Sequence, residues 1–394
     1  MSHADYTPDQ FHQNPLMFYY EVTLACDLVC KHCRASAQEC AHPEELSHAQ
    51  AKALIDQVAS FPRPPMMVFT GGDPLKRPDL FDLLRHAVGR GIRPALTPSA
   101  TPLATYEAFR RAREAGVGAL GISLDGADAP THDAFRGFEG SFDRTLEMLD
   151  NARKLGMAVQ VNTTITRRNV GQVDAMAELL GGRGIAMCAV FFLVPVGRGV
   201  EEERIGPEQY EEVFARLWHH AQRRPYAVKT TEAPHYRRFV LQKGGDPLAG
   251  PQGETAPEDS PKFRGPTEKS SHHSTAEAAK TGRSPSRLRH RAPLGVGDGK
   301  GVMFVSHTGE IFPAGFLPLR CGRFPLDSVV ETYQNHPTFQ ALRNPDGFKG
   351  RCGYCEYRYV CGGSRARAYA LTGDPLATEP DCVYIPDRNA TPIR

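Results

Sequence analysis

The chain has 394 residues, which is long enough for two or three domains and a large buried core. Its 47 lysines and arginines nearly balance its 45 aspartates and glutamates, so bulk charge gives no reason to expect binding to nucleic acid or to an anionic membrane. No apolar run is long enough to span a bilayer, and the N-terminal residues contain no apolar signal core. We therefore expect a soluble, cytoplasmic protein.

Short apolar runs alternate with helical patterns from residue 17 to residue 200. The six predicted strands are 18–24, 66–70, 93–97, 119–124, 158–164 and 187–193. The capping box of Ser47 and Gln50 predicts the start of the first helix, and later helices are predicted at 105–115, 141–155 and 169–180. Such alternation indicates an α/β fold with a parallel sheet. Because six units are too few for an eight-fold barrel, a partial (β/α)6 TIM-like barrel competes with a doubly wound sheet.

The remaining chain divides by composition. An N-terminal tail (1–16) precedes the partial barrel (17–200), and residues 201–242 are predicted to form bridging helices. Residues 243–294 are rich in Gly, Pro, Ser, Lys and Arg, which predicts a disordered insertion in which His272 and His273 are solvated. A small compact C-terminal domain is predicted at 295–394.

A polar or glycine-containing motif follows each predicted strand. Cys26, Cys30 and Cys33 follow the first strand with the spacing C-x3-C-x2-C. The other five motifs are Gly71-Gly72-Asp73-Pro74, Thr97-Pro98-Ser99, Ser123-Leu124-Asp125-Gly126, Asn162-Thr163-Thr164 and Val194-Pro195-Val196-Gly197. Each alone is compatible with a simple turn. In parallel βα folds the loops after the strands meet at one rim, where function gathers, so six such motifs together predict a site there.

The cysteines form two groups. The first group has three members, one fewer than a closed zinc site or an ordinary iron–sulfur cluster takes. Its spacing is compatible with a zinc knuckle that borrows a distant ligand, or with a cluster that leaves one iron free. The second group is Cys352, Cys355, Cys361 and Cys382. Its four thiolates can close either a structural zinc site or a full iron–sulfur cluster. We expect Cys188 in the core and Cys40 in a loop, and Cys321 is unassigned.

The three-cysteine motif, the GGDP sequence and the SLD sequence resemble those of radical S-adenosylmethionine (SAM) enzymes. The resemblance covers nearly the whole chain apart from the tail and the insertion. It implies that Cys26, Cys30 and Cys33 hold a [4Fe–4S] cluster whose fourth iron is chelated by the amino and carboxylate groups of SAM. The residues that it places around SAM are Gly71, Gly72, Asp73, Pro74, Ser99, Ser123, Asp125, Arg136 and Asn162.

The resemblance also implies roles within this set. Gly71, Gly72 and Asp73 would meet the SAM amino group, with glycines allowing close backbone approach. Ser123 and Asp125 would bind the ribose hydroxyls.

By the same resemblance, Arg136 would pair with the SAM carboxylate. An electron from the reduced cluster would cleave SAM to methionine and a 5′-deoxyadenosyl radical, which abstracts a substrate hydrogen.

The C-terminal segment resembles the SPASM/twitch-like extension that carries auxiliary [4Fe–4S] clusters. The two-cluster form usually has a further cysteine where this chain has Arg365, and another where it has Ala314-Gly315. The resemblance therefore implies one auxiliary cluster, held by the four cysteines of the second group.

The HCRA sequence and the FFLVPVGRG sequence are similar to radical SAM proteins that modify tetrapyrrole side chains in heme and heme d1 synthesis. Arg198, Arg365 and Arg367 are candidate partners for tetrapyrrole carboxylates, with an exposed helix face as the alternative position for the last two. The first alternative function is a SPASM maturase that modifies a ribosomally made peptide. The second is a non-catalytic iron–sulfur electron carrier or a zinc-stabilised protein. The family resemblance implies an electron donor such as flavodoxin or ferredoxin, with no nucleic-acid or membrane partner.

Overall fold

The computed structural model describes residues 6–249 and 294–393, with the side chains of all of them except Pro8 and Glu202. The predicted insertion at 243–294, with His272 and His273, lies outside the described residues except at its two ends. The strands of the described part are β1 (Met17–Glu21), β2 (Met66–Thr70), β3 (Arg93–Leu96), β4 (Ala119–Ser123), β5 (Ala158–Ile165), β6 (Met187–Phe192), β7 (Ala227–Thr231), β8 (Val302–Val305), β9 (Glu310–Phe312) and β10 (Gly322–Arg323).

The helices pack on the strands and surround the C-terminal cysteines. They are α1 (His48–Ala59), α2 (Leu80–Gly89), α3 (Tyr106–Glu114), α4 (Ala129–Arg136), α5 (Ser141–Lys154), α6 (Val173–Gly181), α7 (Pro207–Ala221), α8 (His235–Gln242), α9 (Val329–Asn335), α10 (Pro337–Arg343), α11 (Gly350–Tyr354) and α12 (Arg365–Thr372). The predicted capping box of α1 is confirmed, because Ser47 Oγ accepts from the Gln50 N–H at 3.3 Å and Gln50 Oε1 accepts from the Ser47 N–H at 2.9 Å. No helix of the described part is long and apolar enough to cross a membrane.

The strands form one sheet with the order β10-β9-β8-β1-β2-β3-β4-β5-β6-β7. Neighbours from β8 and β1 through β7 are parallel, whereas β9 pairs antiparallel with β8 and β10. Because β1 to β7 are added in chain order at the same edge, the winding is that of a TIM-like barrel, since a doubly wound sheet reverses its order. The prediction of a partial α/β barrel is confirmed.

Two features of the structure after residue 200 were not predicted. The segment 201–242 contains β7 between α7 and α8, although only helices are predicted there. Its sequence AVKTT has just two apolar residues, so the search for apolar runs missed it. The C-terminal segment is not confined to a separate layer, because β8 pairs in parallel with β1 from Met17–Val302 to Tyr20–Val305.

Side chains along each strand point alternately to the face of the sheet that packs on the helices and to the inner face of the barrel. Phe18 and Tyr20 of β1 are fully buried in the main core cluster, which also contains helix residues such as Leu54 of α1. Since successive strand residues point to opposite faces, Tyr19 and Glu21 point to the inner face. The loops after the parallel strands therefore stand at the rim of this inner face.

The N-terminal residues pack against the C-terminal helices. Phe11 and Leu16 are buried, and Tyr333 Oη of α9 donates a hydrogen bond to the Phe11 carbonyl at 2.8 Å. The N–H of Val329, at the start of α9, donates to Gln57 Oε1 of α1 at 2.7 Å. Helix α9 is thus tied both to the segment before β1 and to α1.

Candidate active site

The loop after β1 carries the first three cysteines. Cys26 and Cys30 are each 7% exposed, and Cys33 is half-buried. Arg198, from the loop after β6, donates from Nε to the Cys30 carbonyl at 2.9 Å and from Nη1 to the Ala37 carbonyl at 2.8 Å. Arg198 thus fastens the cysteine loop, and its buried Nη2 has no hydrogen-bond partner in the described part of the chain. Its contact with a substrate carboxylate stays a prediction.

Backbone N–H groups point at two of these sulfur atoms. The Leu28 N–H donates to Cys26 Sγ and the Ala37 N–H donates to Cys33 Sγ, each at 3.4 Å. Burial raises the pKa of the Cys26 thiol, and the hydrogen bond from the Leu28 N–H acts against that effect. Burial also raises the pKa of Cys30, while the nearby Arg136 guanidinium lowers it. Thiolates that bind a metal cation need this kind of support in a buried loop.

The GGDP loop after β2 lies directly on the backbone that leads to Cys26. The Gly72 N–H donates to the Thr23 carbonyl at 2.8 Å, and the Asp73 N–H donates to the Ala25 carbonyl at 2.6 Å. A Cβ atom at Gly71 would lie 2.4 Å from the Thr23 oxygen, and one at Gly72 would lie 2.4 Å from the Ala25 oxygen. The protein's own backbone therefore requires glycine at both positions, a reason the sequence did not indicate.

The Asp73 carboxylate faces protein donors. It is fully buried, accepts from Thr101 Oγ1 at 2.6 Å, and caps the short 3₁₀ helix Pro74–Lys76 through the Leu75 N–H at 3.1 Å. Burial raises its pKa, and these hydrogen bonds lower it. Ser99 Oγ lies 3.6 Å from Cys26 Sγ and donates to the Gly72 carbonyl at 2.9 Å. The carboxylate of Asp73 thus fixes the loop, whereas the sequence predicts it at the SAM amino group.

Asp125 and Arg136 form a buried pair beside the cysteines. Arg136 Nη1 donates to Asp125 Oδ2 at 3.1 Å, and the Thr164 N–H donates to Asp125 Oδ1 at 2.7 Å. Burial lowers the pKa of Arg136, but the Cys30 thiol and Asp125 outweigh it, so the guanidinium stays charged. Its buried Nε has no hydrogen-bond partner in the described part of the chain. Asp125 retains lone pairs for further donors.

Three further residues complete this rim. Ser123 of β4 and Asn162 of β5 are register partners in the sheet, and Asn162 Oδ1 accepts from Gln160 Nε2 at 2.7 Å. The His32 ring packs on Phe135 at 4.4 Å between ring centroids, and its Nε2 lies 3.9 Å from Asp125 Oδ2. Burial lowers the pKa of His32 to about 4, and its Nδ1 is an unpaired buried atom among the described residues.

The rim as a whole fits a polar cofactor next to the cysteines. The unpaired Arg136 Nε suits a carboxylate, and the remaining lone pairs of Asp125 suit hydroxyl donors. The structure brings Cys26, Ser99 and the Asp125–Arg136 pair together as the sequence predicts. Thr101 was missed because nothing in its local sequence marks it. Thr164 belongs to a motif predicted at the rim, but its contact with Asp125 was not predicted.

The second cysteine group lines a separate cavity. Its four sulfur-bearing residues are Cys352, Cys355, Cys361 and Cys382. Backbone donors also reach these sulfurs, since the Glu379 N–H donates to Cys352 Sγ at 3.2 Å and the Gly363 N–H to Cys361 Sγ at 3.4 Å. Burial raises the pKa of Cys355 to about 12 and raises that of Cys382. Within residues 6–249 and 294–393, no three His, Cys, Asp or Glu side chains are grouped so as to hold a single metal ion.

The two arginines after Cys361 are buried, at 3% exposure for Arg365 and 0% for Arg367. Arg367 Nη1 donates to Glu379 Oε1 at 3.1 Å, and its Nε lies 3.1 Å from Asp381 Oδ2. Arg365 Nη1 donates to the Ala377 carbonyl at 2.7 Å. Both readings from the sequence are therefore wrong: these side chains are neither on an exposed helix face nor free for a substrate carboxylate.

A model of the Radical SAM superfamily matches residues 20–180. The AdoMet-dependent heme synthase of Methanosarcina barkeri (strain Fusaro / DSM 804) is 36% identical over 377 residues, covering 95% of this chain and 98% of that protein. This chain belongs to the radical SAM superfamily. The cofactors of the superfamily are a [4Fe–4S] cluster and SAM, and its members are enzymes. The similarity over nearly both whole chains supports the heme-synthesis subgroup that the sequence predicts.

Two further similarities bear on this radical SAM enzyme. The mycofactocin maturase MftC of Mycobacterium tuberculosis (strain CDC 1551 / Oshkosh) is 30% identical, over 94% of this chain and 83% of that one. The structure described as native anSMEcpe with bound AdoMet matches with a TM-score of 0.64 and 14% identity, covering 93% of this chain and 94% of that one. At this identity the structural match shows the fold alone.

Proposed function

We propose that this radical SAM enzyme modifies a side chain of an iron tetrapyrrole in heme synthesis, at the rim formed by Cys26, Cys30 and Cys33. The observation that supports this most is the 36% identity to a heme synthase over 95% of the chain. Identity to the mycofactocin maturase is lower, at 30%. Peptide modification therefore remains the second candidate.

In this proposal the three cysteines hold the SAM-binding cluster. Bound there, the cluster and SAM supply a carbon radical that removes a hydrogen atom from the substrate. Arg136 orients the SAM carboxylate through its unpaired Nε, and Asp125 accepts from the ribose hydroxyls with the lone pairs that Thr164 and Arg136 leave free. The backbone of the GGDP loop holds the cysteine loop in place beside Asp125 and Arg136.

The inner face of the barrel offers aromatic surface and a cation for the substrate. Phe191 of β6 and Phe316 lie 6.1 Å apart between ring centroids, and the Arg34 guanidinium lies 4.5 Å above the ring of Phe304 in β8. Arg34 follows Cys33 directly and donates to Glu21 Oε2 at 2.8 Å. Aromatic faces suit a flat macrocycle. The proposal places Arg34 beside a substrate carboxylate, because its partner Glu21 also binds His307 Nδ1 at 2.7 Å and would keep that contact.

The proposal includes one auxiliary [4Fe–4S] cluster on the second cysteine group. Support comes from the cavity that the four cysteines share, and from the backbone N–H groups directed at their sulfurs. An external electron donor such as flavodoxin or ferredoxin belongs to the proposal as well, because SAM cleavage consumes an electron.

The experiment offers both substrate classes to the anaerobically reconstituted full chain with SAM and dithionite. The tetrapyrrole probe is Fe-coproporphyrin III, whose side chains carry carboxylates, and the peptide probe is a mycofactocin precursor peptide. We expect mass spectrometry to show a changed tetrapyrrole that accumulates with 5′-deoxyadenosine, and an unchanged peptide. A changed peptide beside an intact tetrapyrrole would replace the proposal with the maturase function.

A further inference from the structure

His235 lies in the wall of the second cysteine cavity. It is the first residue of α8, directly after Pro234, and is 0% exposed. Neither ring nitrogen has a hydrogen-bond partner among the described residues. A buried polar group without a partner is rare in proteins, because it loses its hydrogen bonds to water and gains none. The position of His235 therefore needs a reason.

Aromatic rings and positive charges surround the imidazole among the described residues. Tyr210 stacks on it at 5.2 Å between ring centroids, and Phe214 meets it edge-on at 4.9 Å. The charged neighbours that act on it are Arg367 and Arg238, which are donors only. Burial, followed by these two cations, lowers the pKa of His235 well below its ordinary value, so the ring is neutral. A neutral imidazole carries one N–H donor and one acceptor nitrogen.

What the cavity does offer is sulfur. Four cysteines line the same cavity as His235, and two of them already accept backbone N–H groups from Glu379 and Gly363. Hydrogen bonds to the sulfurs of an iron–sulfur cluster stabilise its reduced, more negative state, and so set its reduction potential. A side-chain N–H at the wall would add to these backbone donors.

We infer that His235 donates a hydrogen bond to the sulfur of the auxiliary cluster held by Cys352, Cys355, Cys361 and Cys382, and thereby raises its reduction potential. This inference rests on the proposal that the second cysteine group holds an iron–sulfur cluster. Tyr210 and Phe214 fix the ring plane. No sequence pattern indicates this role, because His235 precedes the first of these cysteines by more than a hundred residues.

The test uses the full chain with Cys26, Cys30 and Cys33 all replaced by alanine, so that the second site alone contributes a signal. In this background His235→Phe removes the donor and keeps a ring, whereas His235→Gln keeps a donor. The matched control is His220→Gln, because His220 is also buried but binds Asp174 at 2.7 Å and does not line the cavity. Iron is counted in each protein, and the midpoint potential is measured by titration followed by electron paramagnetic resonance.

We expect about four irons in each protein, as a [4Fe–4S] cluster requires. The potential of His235→Phe should shift to a more negative value, His235→Gln should lie closer to the parent, and His220→Gln should match it. If His235→Phe loses its cluster, pulsed electron paramagnetic resonance on protein labelled with 15N-histidine tests the hydrogen bond instead. A 15N coupling in the parent that His235→Gln abolishes supports the inference.

Two outcomes overturn the inference and separate its failure from that of the proposed cluster. In the first outcome, about four irons are present but the parent and His235→Phe have equal potentials, or the parent shows no 15N coupling. The proposed auxiliary cluster then stands, and the hydrogen bond from His235 is excluded. In the second outcome, metal analysis finds stoichiometric zinc in place of iron, and both the proposed cluster and the proposed role of His235 are wrong.

Discussion

Gly72 shows how one residue positions the candidate active site. It lies where the loop after β2 crosses the backbone between β1 and Cys26, and a Cβ atom there would meet the Ala25 and Leu24 carbonyl oxygens at 2.4 and 2.5 Å. Carbonyl oxygens of a fixed loop cannot rotate away as a flexible side chain can. The sequence predicted Gly72 at the rim from its motif, but not this contact, because the contact joins two loops that only the folded sheet brings together.

We expect Gly72→Ala to push the cysteine loop out of place. Overpacking of this kind costs about 1–3 kcal/mol, so the free energy of unfolding should fall by that amount, and most of the iron at Cys26, Cys30 and Cys33 should be lost. Urea unfolding and iron counting measure the two effects. The control is Gly182→Ala, since a Cβ atom at Gly182 meets nothing within 4 Å and its φ is −99°. Equal stability and equal iron in the two variants would show that the close contact has no consequence.

At the scale of elements, α12 joins the C-terminal segment to the ends of β6 and β7. Arg367 makes the connection from a fully buried position: its Nη2 donates to the Phe192 carbonyl at 3.2 Å and the Glu232 carbonyl at 2.7 Å, and it pairs with Glu379 and Asp381. One interpretation of the sequence placed Arg367 on an exposed helix face. That interpretation is wrong, and the sequence could not correct it, because the carboxylates that neutralise Arg367 come from a later loop.

We expect Arg367→Met to destabilise the protein strongly. The substitution leaves Glu379 buried without its arginine partner and Asp381 with Arg204 as its remaining one, and breaking a buried pair costs about 3–5 kcal/mol. Urea unfolding of the reconstituted protein measures the loss. The control is Arg110→Met on α3, where the pairs with Glu107 and Glu114 are exposed and should contribute little that is measurable. Similar unfolding curves for both variants would argue against a structural role of the Arg367 network.

For the whole molecule, local patterns predicted the first six parallel strands, the capping box of α1 and the gathering of motifs at one rim. These features depend on apolar runs and on the geometry that all parallel βα folds share. The pairing of β8 with β1, the strand β7, the backbone hydrogen bonds of Arg198 and the ion pairs of Arg367 were not predictable in this way. Each depends on contacts between segments far apart in the chain, which periodicity does not report.

The same long-range assembly builds the second cavity from two parts of the chain. His235 and Arg238 of α8 line it together with the four C-terminal cysteines. Sheet pairing of β8 with β1 and the ion pairs of Arg367 hold these parts in place. The barrel and the C-terminal segment therefore form one structural unit around both cysteine groups.

Cleavage of SAM by the anaerobically reconstituted full chain tests the central claim most directly. With dithionite as reductant, we expect 5′-deoxyadenosine from the parent and, at a similar rate, from Cys40→Ala, because Cys40 is exposed and belongs to neither cysteine group. Cys30→Ala removes a buried ligand of the first group and should form none. Formation of 5′-deoxyadenosine by Cys30→Ala at the parent's rate, or none by a parent with full iron content, would contradict the assignment of these cysteines.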